Sequence, residues 1–223
     1  TLSLHDALPI SSAERKLVSE FVISNADLQP KSIVASGTGI FVAQNMMYRH
    51  NVMVFDRAGT VLAKIPDDVD LAAYGIENGV KAQGSPVEAV FLKDTPYVYV
   101  SNYKMYGPGF NPVADDNCNR GDWDDSYVYK INTTTYQIEK VIPTGSVPKF
   151  MAISPDRSKL LVSNWCGFDV TVIDTAGNVV ISHAIEKVHE AVKEGETIVT
   201  PLQASGVFPN MVISMVDVGE ETG

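Results

Sequence analysis

Residues Met151 to Val180, MAISPDRSKLLVSNWCGFDVTVIDTAGNVV, set short apolar runs between groups of turn-forming residues. The pattern predicts a strand over Phe150–Ser154, then a type I turn at Pro155-Asp156-Arg157-Ser158, with Pro and Asp where such turns favour them. A second strand follows over Lys159–Ser163, ended by Asn164, whose short side chain can hold a turn. Val170–Ile173 is β-branched and closes at Asp174; Thr175–Asn178 then turns the chain into a fourth strand, Val179–Ser182. Four short strands joined by tight turns predict an antiparallel meander.

The same order of residues occurs twice more. Pro148…Leu161-Val162-Ser163-Asn164…Val172-Ile173-Asp174 has counterparts in Pro86…Tyr99-Val100-Ser101-Asn102…Lys130-Ile131-Asn132 and in Pro30…Phe41-Val42-Ala43-Gln44-Asn45…Val54-Phe55-Asp56. Pro30 to Asn45, Pro86 to Asn102 and Pro148 to Asn164 span 15, 16 and 16 residues, and the prolines lie 56 and 62 residues apart. Pro209-Asn210-Met211-Val212-Ile213-Ser214, 61 residues after Pro148, reads as a fourth start. Four-stranded units at this spacing are blades of a β-propeller; a β-sandwich or β-solenoid built from similar hairpins is the competing architecture.

The motif itself has a family resemblance. "PKFMAISPD" followed by "LLVSN" and "VTVID", with "PVEAVFLKDTPYVYVSNY" as an earlier copy, resembles the YVTN β-propeller repeat of YncE-like proteins over about residues 30–183. Ser158 departs from it, standing where the family usually has Gly. The resemblance implies an all-β, partial β-propeller of about three four-stranded antiparallel blades plus the start of a fourth. The blades are expected at about 30–65, 86–142 and 148–185 within an incomplete propeller domain, 11–223, with residues 186–223 an insertion leading into the next blade. A propeller closes with about four to eight blades, so the chain reads as a fragment or as one completed by partners. The first ten residues, TLSLHDALPI, resemble a translated sequencing adapter and are set apart from the fold, which places the natural N-terminus, and any export signal, outside this sequence. In Ala184–Glu196, Ile185, Val188 and Val192 have helical spacing and suggest a short amphipathic helix.

Composition narrows the function classes. Of 223 residues 45% are hydrophobic and 20% charged, as in ordinary globular chains. No apolar run is long enough to span a bilayer as a helix. The net charge of −10, with no basic stripe, makes nucleic acid an unlikely partner.

In a propeller blade the loops between strands 1–2 and 3–4 share one face, and the 2–3 loops and blade connections share the other. Here the first face receives only short turns, such as Ser36–Gly39 and Pro155–Ser158. The second receives Met46–Asn51, Pro66–Ser85, Tyr103–Asp125, Trp165–Phe168 and Glu186–Phe208. Long loops are uncommon unless functional or disordered, so this face is the expected working surface; covering neighbouring blades is the alternative.

That face collects the candidate residues. Lys31, Glu88 and Lys149 begin the innermost strands, where spaced charges suit an anionic or zwitterionic ligand or pair into a structural ring. His50, Tyr103 and Trp165 lie in or beside the 2–3 loops, where aromatics suit carbohydrate, peptide or protein contact; inter-blade packing is the alternative for Tyr103 and Trp165. Cys118 and Cys166 fall in the 2–3 loops of adjacent blades, where a disulfide is geometrically feasible; two unpaired thiols are the other reading. A disulfide fits the periplasmic or secreted location that the resemblance also implies. Asp115, Asp116, Asn117, Asn119 and Asp122 concentrate oxygen ligands of the kind calcium takes, although Gly121 falls one place late for a calcium loop and no Glu closes it; a solvated acidic loop is the competing reading. No other cofactor is indicated, and no catalytic constellation is visible. The function expected is a binding or interaction scaffold for a protein, carbohydrate or small molecule. A propeller-fold enzyme, lactonase-like or a cofactor-dependent oxidoreductase, and a surface-layer structural module are the alternatives.

Overall fold

A computed structural model describes residues 19–111, 117–118, 123–175, 188, 191–206, 208 and 210–222. Three antiparallel sheets follow one another along the chain. The first is a meander of β1 (Ser32–Ala35), β2 (Phe41–Asn45), β3 (Asn51–Phe55) and β4 (Val61–Pro66). After β5 (Asp68–Asp70) and β6 (Lys81–Gln83) come β7 (Pro86–Phe91), β8 (Tyr97–Asn102), β9 (Asp125–Asn132) and β10 (Gln137–Ser146), the second meander. The third contains β11 (Pro148–Ile153), β12 (Lys159–Asn164) and β13 (Asp169–Asp174). The fourth strand expected over Val179–Ser182 lies outside the described residues.

The registers of the three sheets are equivalent. Pro86 pairs with Asn102 and Pro148 with Asn164, each followed by a bulge, and the Lys31 amide reaches Gln44 O just ahead of β1. The first strands lie side by side, β1 against β7 and β7 against β11, and the sheets stack outward from them. Val42, Val52, Val54 and Ile65 of the first sheet meet Val98, Val100, Tyr129 and Ile131 of the second. On its opposite face the second sheet places Tyr99 and Val128 against Met151, Leu160 and Val162 of the third. Neighbouring strand residues therefore point into different cores, the period of two that strands impose. This is the blade arrangement of a partial β-propeller, and the described residues close no ring.

Two corrections concern the parts between and after the blades. The connection Pro66–Ser85, expected as a plain loop, contains β5 and β6 paired as a small sheet around a 3-10 turn at Leu71–Tyr74, capped by the Asp70 side chain on the Ala72 amide (3.1 Å). The segment from Asn210, expected to open a fourth blade, is instead helix α2 (Asn210–Thr222), preceded by the short α1 (Val199–Ala204). The apolar residues of α2, among them Met211, Met215 and Val218, recur every three or four positions, which a strand would scatter over both faces. Glu220 ties the two helices together by accepting from the Ile198 and Val199 amides (2.7 and 3.1 Å). Of the expected helix over Ala184–Glu196, the described residues Val188 and Ala191–Lys193 are helical.

Leu160 and Leu161 test the alternation within one strand. Leu160 is fully buried between the second and third sheets, whereas Leu161 points away from them and is 39% exposed. Leu160→Ala is expected to cost about 2–5 kcal/mol in equilibrium denaturation, and Leu161→Ala under about 1 kcal/mol.

Candidate functional site

Three of the long segments, Met46–Asn51, Pro66–Ser85 and the start of Tyr103–Asp125, meet on one face. Gln83 and Tyr106 exchange backbone hydrogen bonds, the Tyr103 amide donates to Ser85 O, and Ser85 Oγ donates to Met46 O. These bonds join the first blade's 2–3 loop, the blade connection and the second blade's long insertion. On the opposite side the short turns touch one another, Arg157 donating to Asp94 (2.9 Å) and the Thr133 amide to Pro96 O.

The strand-ending asparagines fasten this face to the core. Asn45 Oδ1 accepts from the Gln29 amide (2.7 Å) and Asn102 Oδ1 from the Ser85 amide (3.1 Å), in each case the residue just before the blade-opening proline. Both side chains are fully buried, and the Ser85 amide that Asn102 satisfies is buried with it. Gly84 is required here: a Cβ on it would lie 2.3 Å from Asn102 Oδ1 and 2.7 Å from the Tyr129 hydroxyl. In the third blade Asn164 instead donates to Asp169 (2.6 Å) and Thr171 (2.8 Å).

A charged pair sits on the same scaffold. His50, in the left-handed region at φ 47°, places Nδ1 2.9 Å from Gly84 O and 3.3 Å from Asp67 Oδ2. The Asp67 carboxylate is fully buried and faces His50 as an ion-pair partner, with neither oxygen in full hydrogen-bond geometry to a described residue. Asp67 O is better placed, accepting from the Tyr129 hydroxyl (3.0 Å) and the Gly84 amide (3.0 Å). The edge of Tyr106 packs on the His50 ring, centroids 5.4 Å apart. Burial holds the Asp67 carboxyl above the usual carboxylate range, and the neighbouring carboxylate holds the His50 imidazole above its ordinary value. Asp67 carries no sequence signal beyond one acid in an acidic stretch, and only its burial distinguishes it.

Of the expected ligand-binding residues, three come together. Lys149 Nζ lies 3.6 Å from the Trp165 ring centroid and 5.2 Å from that of Tyr103. Lys104 extends the group, 5.2 Å from Tyr106 and 5.9 Å from Trp123, and Trp123 meets Tyr103 edge-on at 5.8 Å. Tyr103 is buried with Val87 and Val147, whereas Trp165 stays 43% exposed. Glu88 stands on β7 and Lys31 one residue ahead of β1, and neither side chain forms a hydrogen bond or ion pair with a described residue; the acid beside His50 is Asp67. Cys118 and Cys166 are joined by a disulfide (S–S 2.02 Å), tying the long insertion to the third blade next to this aromatic group. Among the candidate calcium ligands only Asn117 is described; it is exposed, and its carbonyl accepts from Trp123 Nε1 (3.3 Å). Asp115, Asp116, Asn119 and Asp122 lie outside the described residues, among which no group of three or more His, Cys, Asp or Glu is placed to hold a metal ion.

No family model matches the chain. It is 47% identical over 55 residues to the type IV pilus assembly protein PilC of Myxococcus xanthus, a match covering 25% of this chain and 13% of that protein. Among solved structures it is similar to the hydrazine synthase of Kuenenia stuttgartiensis, with 19% identity and a TM-score of 0.45, covering 72% of this chain and 37% of that one. No described helix is long and apolar enough to cross a membrane.

Two measurements probe the site. Both His50 and Asp67 favour their protonated forms in the folded chain. His50 therefore contributes stability that is full below its unfolded pKa, near 6.5, and is lost as pH rises through its higher folded value, while ionising the buried Asp67 above its unfolded value, near 3.8, costs stability. The denaturation midpoint of the native chain minus that of H50Q is expected to fall between pH 6 and 8; a difference that is flat, or rises, contradicts the pairing. Reducing the Cys118–Cys166 bond, which closes a loop of 48 residues, is expected to cost about 4 kcal/mol in the same assay.

Proposed function

We propose that this chain is a binding scaffold of the YVTN β-propeller type, working outside the cytoplasm and engaging a protein partner through its long-loop face. The observation that carries the reading is the set of apolar side chains at the tips of the 2–3 loops. Met47 and Tyr48 of the first blade are 51% and 75% exposed, and Trp165 and Phe168 of the third are 43% and 75% exposed. Tyr48 and Phe168 sit at φ 64° and 55°, so the turn geometry presents these side chains even though such backbone disfavours bulky residues. Met and aromatic residues are enriched at protein contact surfaces. An open, projecting set of this kind suits a macromolecular surface better than an enclosed small ligand.

The lysines beside the rings add charge to the patch. Lys149 and Lys104 bring two cations to one face of a chain whose net charge is −10, and their contacts with Trp165, Tyr103, Tyr106 and Trp123 hold them there. Such a patch favours a partner with acidic residues around an apolar centre. The Cys118–Cys166 bridge supports an oxidising location, where disulfides persist.

The reading is tested by immobilising the purified chain and passing over it the extracytoplasmic fraction of its source cells. A retained protein is expected to be lost at least ~10-fold with W165A or Y48A, since buried aromatic anchors dominate such contacts, and to be retained by L62A. Thermal melting should be unchanged in all three. No retained protein, or retention indifferent to Trp165 and Tyr48, overturns the assignment.

A further inference from the structure

The 2–3 loops of the first and third blades end alike but point differently. His50 directly precedes Asn51, which pairs with Asn45, and Phe168 directly precedes Asp169, which pairs with Asn164. Both sit in the left-handed region, at φ 47° and 55°. Phe168 projects and is 75% exposed, whereas the His50 side chain turns in onto the blade connection and is 22% exposed. The same turn thus admits a ring held out and a ring held in, and His50 is held in by its contacts with Asp67 and Gly84.

The two loops are also fastened by different chemistry. Cys166 ties the third blade's loop covalently to the insertion. The first blade's loop is tied through His50 on Asp67 (3.3 Å) and Gly84 O (2.9 Å), through Met46 O on Ser85 Oγ (3.3 Å), and by Met46 packing in the cluster of Val87, Tyr103 and Val147. Of these ties the histidine pair is the one that titrates near neutral pH. Tyr48, in the same turn, is also left-handed at φ 64°, and two such residues persist side by side only while their surroundings fix them. The titratable and charged groups facing the imidazole are Asp67 and Asp68 from the connection and Tyr106 from the insertion, with Lys104 5.2 Å from the Tyr106 ring and Arg49 adjacent in the chain. Gln83 and Tyr129 also face Asp67, but the Tyr129 hydroxyl is spent on its backbone carbonyl. The Asp67 carboxylate is fully buried, so solvent does not screen its charge when the imidazole loses its proton.

We propose that the His50–Asp67 pair is a pH-controlled latch on the loop face: closed, it holds the turn from Met46 to His50 against the blade connection and sets Met47 and Tyr48 for contact; open, it frees the turn and weakens partner binding. The direction follows from the charges. Once Asp67 is ionised and while His50 keeps its proton, the latch is closed. As pH rises through the folded value of His50, which the neighbouring carboxylate holds above 6.5, the buried carboxylate loses its counter-charge and the latch opens. The disulfide-tied loop of the third blade has no such dependence, so pH acts on one side of the surface. The effect on binding rests on the contact surface proposed above, whereas the latch belongs to the chain alone and is measured without a partner.

The test follows isotope-labelled methionine methyl groups by NMR from about pH 6 to about pH 9, the range in which a histidine of raised pKa titrates. The Met46 methyl is expected to move in step with the His50 ring's own titration and to end near its position in H50Q. Met151, buried between the second and third sheets, is expected to stay in place. In D67N, Met46 should keep the open position throughout. A Met46 resonance that stays put while His50 titrates, or that moves equally in D67N, overturns the latch. If a displaced Met151 shows that D67N misfolds, H50Q decides, and Met46 in the native low-pH position there overturns the latch too. Retention of the partner should fall about threefold or more over the same range in the native chain and be weak and level in H50Q. Level retention by the native chain overturns the link to binding. A moving Met46 with no retained protein supports the latch and sinks the contact surface instead.

Discussion

The first and second four-stranded sheets are each covered on both faces, and that requirement organises the rest. In β8, Val98 and Val100 point into one core while Tyr99 points into the other, and all three are buried. A strand under this constraint reads YVYVSN, almost continuously apolar, where a half-wetted strand would alternate with polar residues. The hydrophobic area removed from water is thus shared between blades, and none of the sheets is stable as an isolated unit. The first sheet shows how the demand is met without a neighbouring blade: Ile23 and Leu28, from the segment ahead of β1, pack with Phe41 over Ala43, Met53 and Phe55.

The same constraint supplies the footing for the loop face. Stacking the sheets brings the end of each second strand beside the chain entering its blade, and the buried asparagine satisfies the amide found there. Gly84 must lack a side chain to admit Asn102, and its carbonyl then becomes the acceptor that fixes His50. The position of a loop histidine is therefore set by core packing through two hydrogen bonds. Asp67 carries the cost of this arrangement, because burial disfavours its charged form and His50, 3.3 Å away, offsets that only in part. Local rules broken beside a projecting loop face are where stability yields to function.

Much of the blade architecture was legible because its signals are local and repeated. The Pro-to-Asn offsets, the Pro-Asp turn and the β-branched third strands each state their element within a few residues. The segments of Cys118 and Cys166 could be assigned to one face by counting strands alone. What could not be read depends on short or distant matches. β5 and β6 are three residues each, too short for a period of two to declare itself. The helical turn of α2 was hidden by a proline and a β-branched run resembling a blade opening. Lys104 and Trp123 are 19 residues apart and meet only because the insertion folds back on itself.

The loop face and the uncovered sheet face differ in what exposure means. Leu161 and Val170 lie on regular strands at positions the other two sheets bury, so the apolar residue there follows from the repeat alone. Met47, Tyr48, Trp165 and Phe168 lie in turns, and two of the four adopt backbone angles that bulky residues avoid. On the opposite face Tyr136 also sits in the left-handed region, at φ 58°, but its ring packs on the core, whereas Tyr48 and Phe168 are 75% exposed. A glycine would relieve the backbone at Tyr48 and Phe168 at once. An aromatic ring held exposed there, on a scaffold tied by the Cys118–Cys166 bridge, is what the proposed contact surface requires.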